Sequence, residues 1–111
     1  MTPAAFQKLA LTMPEATAAV HFDTPDFRVG GKIFATAGHK DDRAVLKLTL
    51  DQQQMLCEAE PAMFAPVDGG WGRKGWTNII LAKADAATVK SALWMAWRNT
   101  ASKTLLKAHA E

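Results

Sequence analysis

Basic and aromatic side chains recur near the end of this chain at a spacing suited to contact with nucleic acid. Lys90, Trp94 and Arg98 are four residues apart, so a helix aligns them in one stripe. A half-exposed Trp between two cations can stack on a base or flank a path of phosphates. The alternative is structural: Trp94 covers a neighbouring element and the cations cover its edge.

Other cations belong to predicted turns and strands. Arg28 and Lys32 stand on opposite arms of a predicted hairpin, and Lys47 lies on a neighbouring strand, so the three can form one basic face. Arg73 and Lys74 lie in a glycine-rich loop, which either offers its backbone amides to a phosphate or forms a solvated tip. The candidate nucleic-acid-binding residues are therefore Arg28, Lys32, Lys47, Arg73, Lys74, Lys90, Trp94 and Arg98.

The segment 70–75 also matches the letters G-x-G-x-x-G. A dinucleotide-binding fingerprint requires a strand before the motif and a helix after it, whereas here a predicted strand follows. The G-K-[ST] pattern of a phosphate-binding loop does not occur in the sequence. We therefore interpret the match as coincidental and expect no cofactor.

The remaining residue types that perform catalysis or bind metals are isolated. His21, His39 and His109 are far apart in sequence, and no short spacing joins them to the single cysteine, Cys57. We interpret Cys57 as a small buried residue and His21 as a structural histidine. Two carboxylate pairs, Asp23 with Asp26 and Asp41 with Asp42, are interpreted as turn residues. No acid and base are positioned for joint proton transfer, so we expect no enzymatic activity.

Length and charge narrow the possibilities further. The 111 residues suit one domain spanning 1–111, with 49% hydrophobic and 22% charged residues. Residues 1–69 carry 6 Lys and Arg against 9 acids, and residues 70–111 carry 7 against 2. This basic second part indicates an anionic partner or lysines kept in water on a surface helix. A single cysteine, with no secretory signal or membrane span in the sequence, favours a cytoplasmic protein.

Local signals predict a helix, several strands, a helix, a strand and a last helix. Thr2 caps the first helix, Asp51 and Gln54 suggest a capping box for the second, and Asp85 caps the last. The predicted elements are a helix over 2–11, a strand over 16–23, a hairpin over 27–37, a strand over 44–50, a helix over 51–60, a loop over 65–75, a strand over 76–82 and a helix after 85. Short turns between strands favour an α+β fold, with an antiparallel sheet of about five strands and helices packed on one face.

The run F-R-V-G-G-K-I-F-A at 27–35 is the most informative segment. Its two glycines suit a tight primed turn, because glycine adopts positive φ without a Cβ clash. Together with the steps at 14–15, 46–48, 75–76 and 96–97, this run resembles the MmcQ/YjbR family of small bacterial proteins. The fold of that family is similar to that of the frataxin-like CyaY proteins.

The resemblance implies a role as well as a fold. Members of the family are proposed to bind DNA through a double wing, two β-hairpins that present basic side chains. Matched position by position, Arg28 and Lys32 belong to the first wing, and Arg73 and Lys74 to the second. The likeness to frataxin also suggests iron handling, but the predicted first helix has no acidic residue to form the acidic ridge of those proteins.

These observations give a first hypothesis and an alternative. The first is weak, sequence-independent DNA binding through the basic hairpin wings. The alternative is a small-ligand or protein-interaction module without catalysis, which uses a concave sheet face. Its candidate apolar lining is Phe34, Met63, Trp71 and Trp76.

Overall fold

The structure is a computed structural model that describes residues 1–21, 24–37 and 43–109. Its helices are α1 (Pro3–Ala10), α2 (Leu50–Ala59), α3 (Gly70–Arg73), α4 (Ala86–Thr100) and α5 (Lys103–Ala108). Its strands are β1 (Thr17–His21), β2 (Thr24–Val29), β3 (Lys32–Thr36), β4 (Arg43–Lys47), β5 (Phe64–Pro66) and β6 (Trp76–Ile80). The described part excludes the last two residues of the predicted first strand (Phe22 and Asp23), the side chain of His21, all of His39 and the predicted turn pair Asp41 and Asp42.

The six strands form one sheet in the order β1-β2-β3-β4-β6-β5, and every neighbouring pair is antiparallel. The α+β fold with an antiparallel sheet is therefore confirmed. The strand beyond the expected five is β5, a three-residue edge strand that overlaps the start of the predicted loop. The prediction of a loop is also wrong for the rest of this segment, since it contains helix α3.

The hairpin of β2 and β3 turns at Gly30 and Gly31, whose φ angles are 58° and 79°. Both angles lie in the left-handed region that favours glycine, as a primed two-residue turn requires. A bulge follows, because Phe27 pairs with Ala35 while Arg28 pairs with Ile33. The extra residue, Phe34, is buried together with Ala35, so the strict alternation expected for this strand is wrong.

Alternation along the strands gives the sheet two different faces. Phe27, Leu46 and Ile79 point into a core covered by α1 and α4, where Leu93 and Trp97 pack. The opposite face carries the residues that alternate with these, and we call it the open face. Its members include Arg28, Ile33, Thr36, Val45, Lys47, Trp76 and Asn78.

Helix α2 begins earlier than the sequence suggested. Thr49 is its N-cap: the Thr49 hydroxyl accepts from the Gln52 amide at 3.1 Å, and the Gln52 side chain accepts from the Thr49 amide at 3.0 Å. The predicted pairing of Asp51 with Gln54 is therefore wrong. It failed because β4 ends at Lys47, so Thr49 is already extended and free to cap.

The other two predicted caps are confirmed. The Thr2 hydroxyl accepts from the amide of Ala5, and the Asp85 carboxylate accepts from the amide of Thr88. Beyond α4, a short helix that the sequence did not suggest, α5, packs Leu105 against the core. None of the helices in the described ranges is long and apolar enough to cross a membrane.

Candidate functional site

Two tryptophans and two lysines form one cluster where α3 meets β6. The rings of Trp71 and Trp76 lie edge to face, with centroids 5.9 Å apart and planes at 80°. The Lys74 ammonium lies 5.5 Å from the Trp71 ring centre, and the Lys47 ammonium lies 5.8 Å from that of Trp76. The cluster therefore combines flat apolar surface with two cations.

This cluster borders a groove of about 350 Å³ on the open face, which we call the Trp71–Trp76 groove. Its walls are mainly apolar, and Trp71 remains 61% exposed. The groove is lined by Ile33, Thr36, Val45, Val67, Trp71 and Trp76. An apolar concavity with a few polar groups at its rim is the usual form of a small-molecule site.

Glycines hold α3 against its neighbours. A Cβ atom on Gly72 would lie 1.9 Å from the carbonyl oxygen of Val67, and one on Gly75 would lie 1.9 Å from that of Leu48. Both approaches require a residue without a side chain. Close backbone packing therefore explains these two glycines of the G-x-G-x-x-G match without a dinucleotide.

The buried side-chain amide of Gln53 holds α3 and the start of β6 in place. The Gln53 side-chain nitrogen, on α2, lies within hydrogen-bond distance of three acceptors: the carbonyl oxygens of Gly72 and Trp76 at 3.0 Å and the Thr77 hydroxyl at 3.1 Å. The Thr77 hydroxyl in turn donates to the Gly75 carbonyl at 2.8 Å. Gln53 is 8% exposed and Thr77 is fully buried, so this network determines where α3 and the start of β6 lie.

Arg28 has a different environment from the other candidate cations. Its guanidinium binds the carboxylate of Asp26, which is 2% exposed, with an Nε to Oδ1 distance of 2.8 Å. The hydrogen bond that Arg28 donates to Asp26, followed by the charge of that carboxylate, raises the pKa of Arg28. Asp26 lies within β2, so its interpretation as a turn residue is wrong. The positive charge of Arg28 is largely compensated by a buried partner.

Lys32 and Arg73 do not belong to the cluster. Lys32 begins β3 and is exposed, but it pairs with the core residue Val29, so its side chain lies on the face opposite that of Arg28. The predicted common basic face of Arg28, Lys32 and Lys47 is therefore wrong. Arg73 ends α3 and lines a neighbouring depression between α2 and α3. The β5–β6 pair lies where the second wing was predicted, but its connection contains helix α3 instead of a flexible loop.

The stripe on α4 lies on the other side of the sheet. Helix α4 packs against β3 and β4 on the core face, so Lys90, Trp94 and Arg98 do not share a surface with the Trp71–Trp76 groove. Trp94 is half-buried, with its ring edge to face against Trp97 at 5.4 Å and the Arg98 guanidinium 5.3 Å from its centre. Its packing matches the structural alternative for this residue.

The proposed apolar lining divides into two pairs. Trp71 and Trp76 border the groove, whereas Phe34 and Met63 are 0% and 4% exposed within the core. The prediction is wrong for those two residues. The bulge turns Phe34 inward, and a bulge has no reliable sequence signal.

Residues that could bind a metal do not converge within the described ranges. No group of three His, Cys, Asp or Glu side chains lies close enough to bind an ion in the described part of the chain. Cys57 is half-buried on α2, and burial raises the pKa of its thiol. Such a thiol is a weak nucleophile at neutral pH.

Sequence reasoning missed several residues that build the site. Ile33, Val45 and Val67 line the groove, and Gln53 and Thr77 position it. Val45 and Lys47 are two residues apart along β4, a spacing that could have indicated that both lie on the same face. Gln53 had no such signal, because its acceptors come from a segment that is distant in sequence.

Comparisons with known proteins identify the family. The YjbR family model matches residues 11–99. The fold is similar to that in the crystal structure of Deinococcus radiodurans protein DR2400, a DUF419 domain, with a TM-score of 0.73 and 20% identity over 96% of this chain and 86% of that chain. A search of curated proteins gave no match. The resemblance noted from the hairpin is thus confirmed, and the chain belongs to the YjbR family.

Proposed function

We propose that this protein is a non-catalytic module that binds DNA weakly and without sequence preference. The observation that carries the proposal is the cluster of Lys47, Lys74, Trp71 and Trp76 at the rim of the open face. Cations provide the sequence-independent attraction to phosphates, and aromatic faces provide stacking surface for any base. Arg73, at the end of α3, extends the basic surface.

The composition of the open face supports this proposal. Asp26, the acid that β2 contributes to this face, is buried and bound to Arg28, so it does not repel a phosphate as a free surface charge would. Lys47 is exposed on the same face, and Lys74 is exposed next to α3. We therefore assign the phosphate contacts to Lys47, Lys74 and Arg73, and assign Arg28 to structure.

A titration against salt tests the proposal. A labelled DNA duplex is titrated by fluorescence anisotropy between about 50 and 200 mM salt, where each phosphate contact contributes about 0.9 to the slope of log affinity against log salt. We expect the double variant Lys47→Ala/Lys74→Ala to reduce that slope by about 2. Absence of binding at low salt, or binding that salt does not weaken, would refute the proposal.

A charge-matched control locates the binding surface. Lys8 on α1 and Lys103 on α5 are exposed lysines that lie outside the cluster. Lys8→Ala/Lys103→Ala changes the net charge equally, and we expect the slope to stay near its parent value. An equal loss of slope in both double variants would mean that net charge, and not this face, attracts the DNA.

A further inference from the structure

We infer that the Trp71–Trp76 groove takes one unpaired base together with its phosphate, so that the protein prefers single-stranded to duplex DNA. The inference rests on the proposed function and names its ligand. The shape and chemistry of the groove indicate a bound base. A protein that contacted phosphates alone would not need such a groove.

The size of the groove suits one small planar group. Its volume of about 350 Å³ lies at the low end of the range for small-molecule sites, about 300–1,000 Å³. A duplex is far larger and keeps the faces of its bases stacked inside. Only an unpaired base can present its face to a tryptophan.

The walls and rim of the groove match the two parts of a nucleotide. Ile33, Val45 and Val67 provide apolar contact, and Trp71, which is 61% exposed, provides a stacking surface. The ammonium groups of Lys47 and Lys74 lie against the two tryptophan rings, beside the position of a base. A phosphate attached to that base is therefore within the reach of flexible cations.

The ligand chemistry has two possible sources, a base within a strand and a free nucleotide. Fluorescence anisotropy compares a thymidine oligonucleotide with a duplex of equal length at one salt concentration. Quenching of tryptophan fluorescence by thymidine monophosphate tests the free nucleotide, with inorganic phosphate as the control. We expect the single strand to bind more tightly than the duplex, and thymidine monophosphate to quench where inorganic phosphate does not.

Variants of Trp71 test the role of the groove. Loss of one stacked base costs about 10-fold or more in affinity, so Trp71→Ala should weaken single-strand binding by that factor and duplex binding by less. Trp71→Phe keeps a ring and should recover part of the loss. Because Trp71 is mostly exposed, both variants should retain the far-UV circular dichroism of the parent.

The outcomes separate this inference from the proposed function. Salt-dependent binding of single strand and duplex with equal affinity, unchanged by Trp71→Ala, would overturn the groove inference and leave DNA binding intact. Quenching by thymidine monophosphate, with no binding to either DNA, would refute the proposed function and support the groove as a nucleotide site. Absence of both signals would overturn both.

Discussion

The guanidinium of Arg28 donates two hydrogen bonds to the carboxylate of Asp26, from Nε to Oδ1 at 2.8 Å and from Nη2 to Oδ2 at 3.1 Å. The two residues are neighbours on the same face of β2, and the carboxylate is buried. This paired, forked geometry gives the strongest kind of charged hydrogen bond. Arg28 is therefore a cation of the open face whose role is to stabilise the fold.

We expect Asp26→Asn to lower the free energy of unfolding by about 1.5–3 kcal/mol, the range for a lost hydrogen bond to a charged group. Arg28→Ala should also destabilise the protein, because it leaves the carboxylate buried without its partner. Urea denaturation measures both. The salt slope of DNA binding should be the same for Arg28→Ala and the parent. A reduced slope with unchanged stability would instead make Arg28 a phosphate contact.

Gln53→Ala tests the amide that supports the groove. The substitution removes the hydrogen bonds from this amide to the carbonyl oxygens of Gly72 and Trp76. At about 0.5–1.5 kcal/mol for each bond, we expect a cost of about 1–3 kcal/mol in the free energy of unfolding. Gln54→Ala is the matched control, since Gln54 is exposed and its side-chain nitrogen donates to the Glu58 carboxylate at the surface, at 3.1 Å. Urea denaturation compares the two variants, and equal stability would contradict the supporting role of Gln53.

Two neighbouring glycines of α3 should respond in opposite directions to alanine. Gly72→Ala forces a Cβ atom against the backbone of Val67, and overpacking of this kind costs about 1–3 kcal/mol or more. The nearest atom to a Cβ on Gly70 is the flexible end of Arg73 at 4.0 Å, so Gly70→Ala should be neutral or stabilising by up to about 1 kcal/mol. Thermal unfolding measures both, and a neutral Gly72→Ala would show that the backbone there can move apart.

The cap of α4 predicts a pH dependence. The Thr88 amide and hydroxyl lower the pKa of Asp85 below its ordinary value of 3.8 by hydrogen bonding to the charged form. A carboxyl with a lower pKa in the folded state stabilises the fold above its unfolded pKa, and this contribution is lost as the pH falls through the folded value. In urea denaturation across pH 2–6, Asp85→Asn should lose less stability below pH 3.8 than the parent, because asparagine caps without titrating. A parallel profile for the two proteins would contradict this.

Local signals predicted the parts of this fold that depend on neighbours in sequence. Thr2 and Asp85 were identified as caps from the residues that follow them, and the glycine pair identified the hairpin of β2 and β3. The alternation along β4 identified a strand with one buried face, since Ala44 and Leu46 are fully buried and Lys47 is exposed. Each of these features is decided within one or two turns of the chain.

The features that sequence reasoning missed depend on distant contacts. β5 and α3 contain three and four residues, too few to show a period, and they are held by β6 and by Gln53 of α2. The candidate tryptophans illustrate the same limit. Trp71, Trp76 and Trp94 all lie within four residues of a cation in the sequence. Only the sheet topology shows that the first two border a groove, whereas Trp94 lies on the core side of the sheet.

The strand order has a kinetic consequence. Strands β1 to β4 pair in chain order, whereas β6 must return across α2, β5 and α3 to reach β4. Closing the longer loop costs more entropy, so we expect the four-strand meander to form in the transition state for folding and β6 to dock later. Destabilising substitutions of Val29 should then mainly slow refolding, and those of Ile79 should mainly accelerate unfolding, as stopped-flow measurements in urea can distinguish. Because the groove is built on β6, we expect it to be among the last parts of the molecule to form and to become able to bind a ligand.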